Sequence, residues 1–257
     1  MSVFEVVAIL LAGLAAGTIN TIVGSGTLIT FPTLLFFGYA PVVANISNTV
    51  GLVAGGLTGI HGYRAELDGQ GHALRRLAPA SLLGAVTGAA LLLVLPPQAF
   101  AAIVPVLIAL ALVLVLAGPW LQAKAAARHT DTGRRTGGAT ALLLGGVFVA
   151  GVYGGYFGAA QGVLLVGIMS VLMTESLQRI NGFKNVLGTI VNAVAAVTFI
   201  LVARDKVDWA VAGLIALGSL GGGWVGAHVG RRLSPRVLRG LIVVIGVVAI
   251  VRMVFFS

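Results

Sequence analysis

The chain has 257 residues, of which 58% are hydrophobic and only 9% are charged, and its mean hydropathy is +1.07. A soluble domain carries roughly 25% charged residues, so this chain has too little charge to cover a globular surface in water. Its 37 glycines fit closely packed membrane helices, in which small residues let backbones approach. The composition therefore predicts an all-α polytopic membrane protein in contact with the lipid bilayer.

The net charge of +9 does not indicate a nucleic-acid partner, because the basic residues lie in short loops between apolar runs rather than on one basic face. The absence of cysteine excludes disulfides and thiolate metal sites. The four histidines have no metal-ligand spacing, and neither a Walker loop nor a Rossmann fingerprint occurs. No metal, cofactor or ATP-driven step is predicted.

Ten apolar segments are expected, since a membrane-spanning helix needs about 20 apolar residues. Two of them are too short to span, and both follow a glycine-rich break. The expected segments are 3–23, 27–38 (short), 42–63, 77–95, 99–121, 139–157, 162–174 (short), 180–203, 207–230 and 236–256.

The two halves of the chain resemble each other. Gly24 of the first half recurs as Gly158 of the second, and Asn45 recurs as Asn181. The stretch 81–111 also matches the stretch 219–249 at nine positions, where the same residue types recur in the same order and at the same intervals. The pattern predicts a duplication, with about four long helices and one short half-helix in each repeat. The predicted parts are a first transmembrane repeat (1–121), a cytoplasmic linker (122–138) and a second transmembrane repeat (139–257).

The distribution of lysine and arginine predicts the topology, because cytoplasmic loops are enriched in basic residues. If each half of the chain changes from one side of the membrane to the other an odd number of times, 13 basic residues lie on one side and three lie on the other. Four crossings per half would divide them 10 to 6. The first arrangement is favoured. It gives inverted-topology repeats, with both termini outside and the linker in the cytoplasm.

The two glycine-rich breaks, residues 20–27 and 154–162, are the predicted binding region. Inverted repeats with interrupted helices at matching positions are typical of transporter binding sites, and a helix N-terminus attracts anions. The alternative is that the glycines serve packing and that the nearby polar side chains form only interhelical hydrogen bonds. The predicted substrate-binding residues are Asn20, Ser25, Gly26, Thr27, Asn48, Thr49, Gln161, Gly162, Lys184, Asn185 and Asn192.

Lys184 is the one charged residue expected inside the membrane region. Its ammonium either neutralises an anionic substrate or snorkels to the cytoplasmic surface, and the sequence leaves both readings open. No acidic residue is expected at mid-membrane, which disfavours a carboxylate proton relay or a sodium site. Proton coupling stays possible without an identified residue, and the oligomeric state is left open.

The run from Ala16 to Pro32, the run Val43 to Thr49 and the run Asn181 to Leu187 resemble the TauE/SafE sulfite exporter family, also called sulfonate uptake permeases. The resemblance implies a duplicated secondary carrier of sulfite or organosulfonates, with about eight spans, in the bacterial inner membrane. The second break departs from the family's glycine triplet and reads Gly158-Ala159-Ala160-Gln161-Gly162, so Gln161 is a candidate determinant of substrate choice.

The predicted function is therefore a non-enzymatic permease that moves a small anion, of the sulfite or organosulfonate type, by alternating access. The anion would bind near the midplane at the N-termini of the two half-helices. An anion channel is the main alternative. A membrane-embedded enzyme lacks a catalytic set, and an accessory subunit would not need a duplicated, internally broken architecture.

Overall fold

The computed structural model describes residues 1–128, 137–229 and 235–255, and within these ranges the chain forms ten α-helices and no strand. Seven of these helices are long and apolar enough to cross a membrane. The ten helices match the ten expected segments one to one, which confirms the all-α multi-pass prediction. The helices are α1 (Val3–Ile22), α2 (Thr27–Phe36), α3 (Pro41–Gly62), α4 (Gly71–Val94), α5 (Pro97–Arg128), α6 (Gly137–Tyr156), α7 (Gln161–Leu172), α8 (Leu177–Val202), α9 (Trp209–His228) and α10 (Pro235–Phe255).

Two helices extend beyond the apolar runs that predicted them. α4 begins at Gly71 rather than at residue 77, and α5 continues to Arg128, inside the predicted linker. Helix propagation depends on backbone hydrogen bonds and side-chain propensity, so a helix does not end where its apolar run ends. Residues 129–136 of the predicted linker lie outside the described residues.

The helices α2 and α7 are short, as predicted. They have 10 and 12 residues, which at 1.5 Å per residue gives lengths of about 15 and 18 Å. The hydrocarbon core of a bilayer is about 30 Å thick. Neither helix crosses it alone, and α2 also contains Pro32 within its last two turns.

The helices of the two halves pack against each other in matching pairs. α1 lies against α9 and α6 lies against α4; α3 packs on α9 and α8 packs on α4. In the same way α2 contacts α10, α7 contacts α5, and α3 contacts α8. If each of the first five helices is exchanged with its counterpart among the last five, so that α1 exchanges with α6 and α2 with α7, the same set of pairs results. The interface between the halves, rather than either half alone, forms the centre of the molecule.

Glycines bring the paired helices into backbone contact. A Cβ atom on Gly17 of α1 would lie 2.3 Å from the carbonyl oxygen of Ser219 in α9. A Cβ on Gly88 of α4 would lie 2.1 Å from the carbonyl oxygen of Val152 in α6. Both distances are too short for any other residue without a shift of the backbone. Part of the glycine excess therefore allows helices of opposite halves to approach closely.

Candidate functional site

The two breaks have the same backbone geometry. After α1, Gly24 adopts a left-handed conformation with φ +86°, and its amide donates to the Ile19 carbonyl at 3.1 Å. After α6, Gly158 has φ +79° and its amide donates to the Tyr153 carbonyl, also at 3.1 Å. Glycine adopts this conformation without the steric cost that a Cβ imposes. Each helix therefore ends just before its glycine, and a half-helix begins three residues after it.

The two breaks meet at the centre of the molecule. The amide of Gly162, in the first turn of α7, donates to the carbonyl of Gly24 at 3.1 Å. A Cβ on either glycine would lie 2.4 Å from the Cα of the other. Two segments from opposite halves of the chain thus form one continuous polar centre, which joins the two halves.

Lys184 points into this centre. Its Nζ donates to the carbonyl oxygens of Asn20 at 3.1 Å and Thr21 at 2.7 Å, and the residue is only 2% exposed. These carbonyls belong to the last turn of α1, where backbone oxygens lack intrahelical partners and carry partial negative charge. The ammonium is therefore held inside the protein and does not snorkel towards the membrane surface.

A small cavity of about 20 Å³ lies between the two breaks and α8. Of the eleven predicted residues, seven line it: Asn20, Thr27, Gln161, Gly162, Lys184, Asn185 and Asn192. Among the described lining residues, Lys184 is the one charged side chain. The cavity also includes Thr21, Gly188 and Thr189, which the sequence analysis missed. Gly188 and Thr189 come one helical turn after Lys184 and Asn185, so helical spacing from those two residues would have found them.

The side-chain amide nitrogens of two cavity-lining residues have no hydrogen-bond partner among the described residues. The Nε2 atom of Gln161 and the Nδ2 atom of Asn185 are both buried donors, on residues only 4% and 7% exposed. A buried donor without an acceptor costs about 1–3 kcal/mol. Since both line the same cavity as the Lys184 ammonium, the site offers several donors to a ligand that is rich in acceptor atoms.

The other four predicted residues do not line the cavity. Asn48 hydrogen-bonds Thr30 and, at 3.2 Å, Thr27. Thr49 donates to the Asn45 carbonyl one turn earlier in its own helix at 2.8 Å. Ser25 is fully buried outside the cavity. A Cβ on Gly26 would lie 2.5 Å from the Ala16 carbonyl oxygen.

The α7 N-terminus does not present free backbone amides to the cavity. The amide of Gln161 donates to the Gly158 carbonyl at 3.3 Å, and the amide of Val163 donates to the Ala160 carbonyl at 3.0 Å. The Gly162 amide is already engaged by Gly24. In this conformation the donors that the start of α7 can offer are therefore side chains. The helix end contributes the field of its dipole.

The described residues contain no group of three or more histidine, aspartate or glutamate side chains placed to hold a metal ion. Donor groups and one cation dominate the cavity, and no described carboxylate lines it. This arrangement suits recognition of a negatively charged, oxygen-rich small molecule.

Known proteins resemble the chain over nearly its whole length. Three relatives, each named "Probable membrane transporter protein YfcA", come from Escherichia coli strain K12, strain O6:H1 and strain O157:H7. Each is 25% identical to the chain over 247 residues, which cover 94% of this chain and 87% of the relative. No solved structure matches the chain. The family described as "Sulfite exporter TauE/SafE" matches residues 9–253. The chain therefore belongs to the TauE/SafE sulfite exporter family of membrane transporters.

Proposed function

We propose that this protein is a secondary transporter of a small anion, namely sulfite or another sulfur oxyanion or organosulfonate. One observation carries the proposal: the buried Lys184 ammonium shares a cavity with the unpartnered amide donors of Gln161 and Asn185. A sulfonate or sulfite group offers three oxygen acceptors and negative charge to such a set. The family's name supports the sulfur oxyanion, whereas the name of the relatives indicates only membrane transport.

The Lys184 ammonium has capacity for a ligand. An ammonium has three N–H donors, and two of them are used by the carbonyls of Asn20 and Thr21. The third is left for an anion oxygen. Asn185 is the next residue in α8, and Gln161 begins α7 on the other side of the cavity. The anion would thus be held between α1, α7 and α8, close to the dipole ends of the broken helices.

The cavity must enlarge to admit the anion. Its volume of about 20 Å³ is only slightly more than the roughly 10–15 Å³ that one water molecule needs on this measure. Loosening of the contact between Gly24 and Gly162 would enlarge it, because that contact closes the centre between the two halves. The conformation described above would then be a closed form in an alternating-access cycle.

The paired packing of the helices supports rocking of one half against the other. Each of the paired contacts between the halves recurs with the roles exchanged. We infer inverted-topology repeats, with both termini outside and the segment between α5 and α6 in the cytoplasm of a bacterial inner membrane. Such repeats alternate access by rigid-body rotation around a central site.

Counterflow in proteoliposomes tests the function. Vesicles that contain the purified protein are loaded with unlabelled anion, and uptake of labelled sulfite is measured. Sulfite, thiosulfate, sulfoacetate, taurine and simple carboxylates are compared as the internal anion. We expect saturable uptake that an accepted internal anion accelerates. Absence of flux and of binding for every anion would refute the proposal.

Two controls make the counterflow result specific. Lys184→Gln should abolish the acceleration, whereas Arg204→Gln removes an equal charge from an exposed turn and should keep it. The alternative of an anion channel predicts flux that does not saturate and that no internal anion accelerates. Counterflow therefore separates a carrier from a channel in the same vesicles.

A further inference from the structure

The net charge of the central cavity comes from Lys184 alone. Each break places the C-terminus of one helix beside the N-terminus of the next: α1 beside α2, and α6 beside α7. A helix carries about +0.5 charge at its N-terminus and about −0.5 at its C-terminus. Each break thus contributes one helix end of each sign to the region of the cavity. Among the described lining residues every side chain except that of Lys184 is neutral, so Lys184 is the one side chain there that can carry charge.

From this charge balance we propose that the site selects its ligand by net charge and accepts compact monoanions in preference to dianions and zwitterions. The inference rests on the proposed transport of an anion and narrows its substrate class. A single buried charge is costly unless it is paired. A monoanion neutralises Lys184, and a dianion leaves one negative charge buried. A zwitterion brings one negative and one positive charge, so one positive charge stays uncompensated.

The absence of carboxylates among the described lining residues strengthens the case against zwitterions. A ligand ammonium would need carboxylate or free carbonyl oxygens, yet no described carboxylate lines the cavity. The carbonyls of Asn20 and Thr21 are occupied by Lys184. Gln161 and Asn185 present their unpartnered nitrogens, which are donors. A second cation would therefore lie next to the ammonium of Lys184, with no described carboxylate to compensate its charge.

Two sets of probes vary charge at nearly constant size. Methanesulfonate and sulfate have the same tetrahedral sulfur centre, with one and two negative charges. Isethionate, taurine and sulfoacetate share a two-carbon sulfonate scaffold and have net charges of minus one, zero and minus two. Binding of all five to the full-length protein in lipid nanodiscs is measured by titration calorimetry at one pH and one ionic strength.

We expect methanesulfonate to bind at least tenfold more tightly than sulfate, and isethionate at least tenfold more tightly than taurine and sulfoacetate. Equal or tighter binding of sulfate, sulfoacetate or taurine would overturn the charge rule while leaving anion transport intact. Binding of none of the five, together with no counterflow of sulfite, would overturn both proposals.

A variant pair checks the origin of the selectivity. In Lys184→Gln the ratio of isethionate to taurine affinity should fall towards one, because the site no longer has a charge to balance. In Arg204→Gln, which removes a charge from an exposed turn, the ratio should stay at its original value. A ratio that Lys184→Gln leaves unchanged would overturn the assignment to Lys184. If that variant does not fold, the probe series on the unmodified protein still decides the charge rule.

Discussion

The polar residues near the two half-helices are engaged differently. Asn48 of α3 hydrogen-bonds Thr27 and Thr30 of α2, whereas Gln161 of α7 and Asn185 of α8 line the cavity and have unpartnered amide nitrogens. Asn48 donates to Thr27 and accepts from Thr30, so this network is neutral and closed. Gln161 and Asn185 keep unpartnered donors beside a cation.

The two breaks differ at positions that correspond in the predicted repeat. Thr27 begins the first half-helix and Gln161 begins the second. In the helices that follow, Asn48 and Lys184 hold corresponding positions. The same backbone geometry thus carries different side chains at the two breaks, and residues of both halves line the cavity. Four tests address this comparison.

Removal of the Lys184 charge should have the largest effect on binding. Lys184→Gln should weaken isethionate binding about a hundredfold, since truncating one partner of a buried charge pair costs about 2–5 kcal/mol. Asn48→Ala should instead lower the free energy of unfolding by about 1–3 kcal/mol, because Thr27 and Thr30 lose a buried partner. Calorimetry and thermal unfolding in nanodiscs measure the two effects. Equal losses of affinity in both variants would contradict the comparison.

A methyl group between the breaks should destabilise the protein. Gly162→Ala places its Cβ 2.4 Å from the Cα of Gly24, and overpacking of this kind costs about 1–3 kcal/mol. Gly167→Ala is the matched control in the same helix. Its Cβ would meet nothing within 4 Å, so it should raise stability by up to about 1 kcal/mol through helix propensity. Similar melting temperatures for the two variants would show that the breaks do not touch.

Loss of the unpartnered donors should reduce affinity without reducing stability. Gln161→Ala and Asn185→Ala should each weaken isethionate binding about tenfold, because a hydrogen bond to a charged group contributes about 1.5–3 kcal/mol. Stability should stay equal or rise, since a buried donor without a partner is removed. Gln98→Ala, at an exposed position, is the control. Reduced stability with unchanged affinity would assign these amides a structural role instead.

The smallest effect concerns the backbone before α7. Ala160 has φ +59°, a left-handed conformation that costs a residue with a Cβ about 1–2 kcal/mol. Ala160→Gly should raise stability by up to about 1 kcal/mol and leave isethionate affinity unchanged. The neighbouring Ala159 has no positive φ, so Ala159→Gly should lower stability. Thermal unfolding distinguishes the two variants. A lower melting temperature for Ala160→Gly would show that the left-handed conformation of Ala160 is not strained.

Helix positions and the location of the central cavity could be predicted because they depend on local patterns. Glycines at 24 and 158 marked both left-handed turns, and the polar residues after them included most of those that line the cavity. The left-handed conformation of Ala160 could not be predicted, because no glycine marks it. Gly26, by contrast, is helical in backbone, and its lack of a side chain avoids a close contact with the carbonyl of Ala16.

The partners of individual polar residues depend on how helices approach one another. Asn48 and Lys184 both lie in the third helix of their half. Asn48 hydrogen-bonds Thr27 of the adjacent short helix, whereas Lys184 hydrogen-bonds the Asn20 carbonyl of α1. Asn48 and Thr49, which were predicted to bind a ligand, instead hydrogen-bond other protein groups in this structure. The packing of the helices decides which side of each helix faces the cavity. The presence of a polar side chain in an apolar segment does not show which side that is.

The sequence by itself determined the membrane class, the ten helices and the two breaks, because composition, apolar length and glycine position act locally. The tertiary structure decided that the breaks touch through Gly24 and Gly162, and that the ammonium of Lys184 turns inward to the carbonyls of α1. It also decided which polar side chains line the cavity and which are already hydrogen-bonded within the protein. These features involve atoms that are distant in sequence, and only the packing of the two halves brings them within hydrogen-bonding distance.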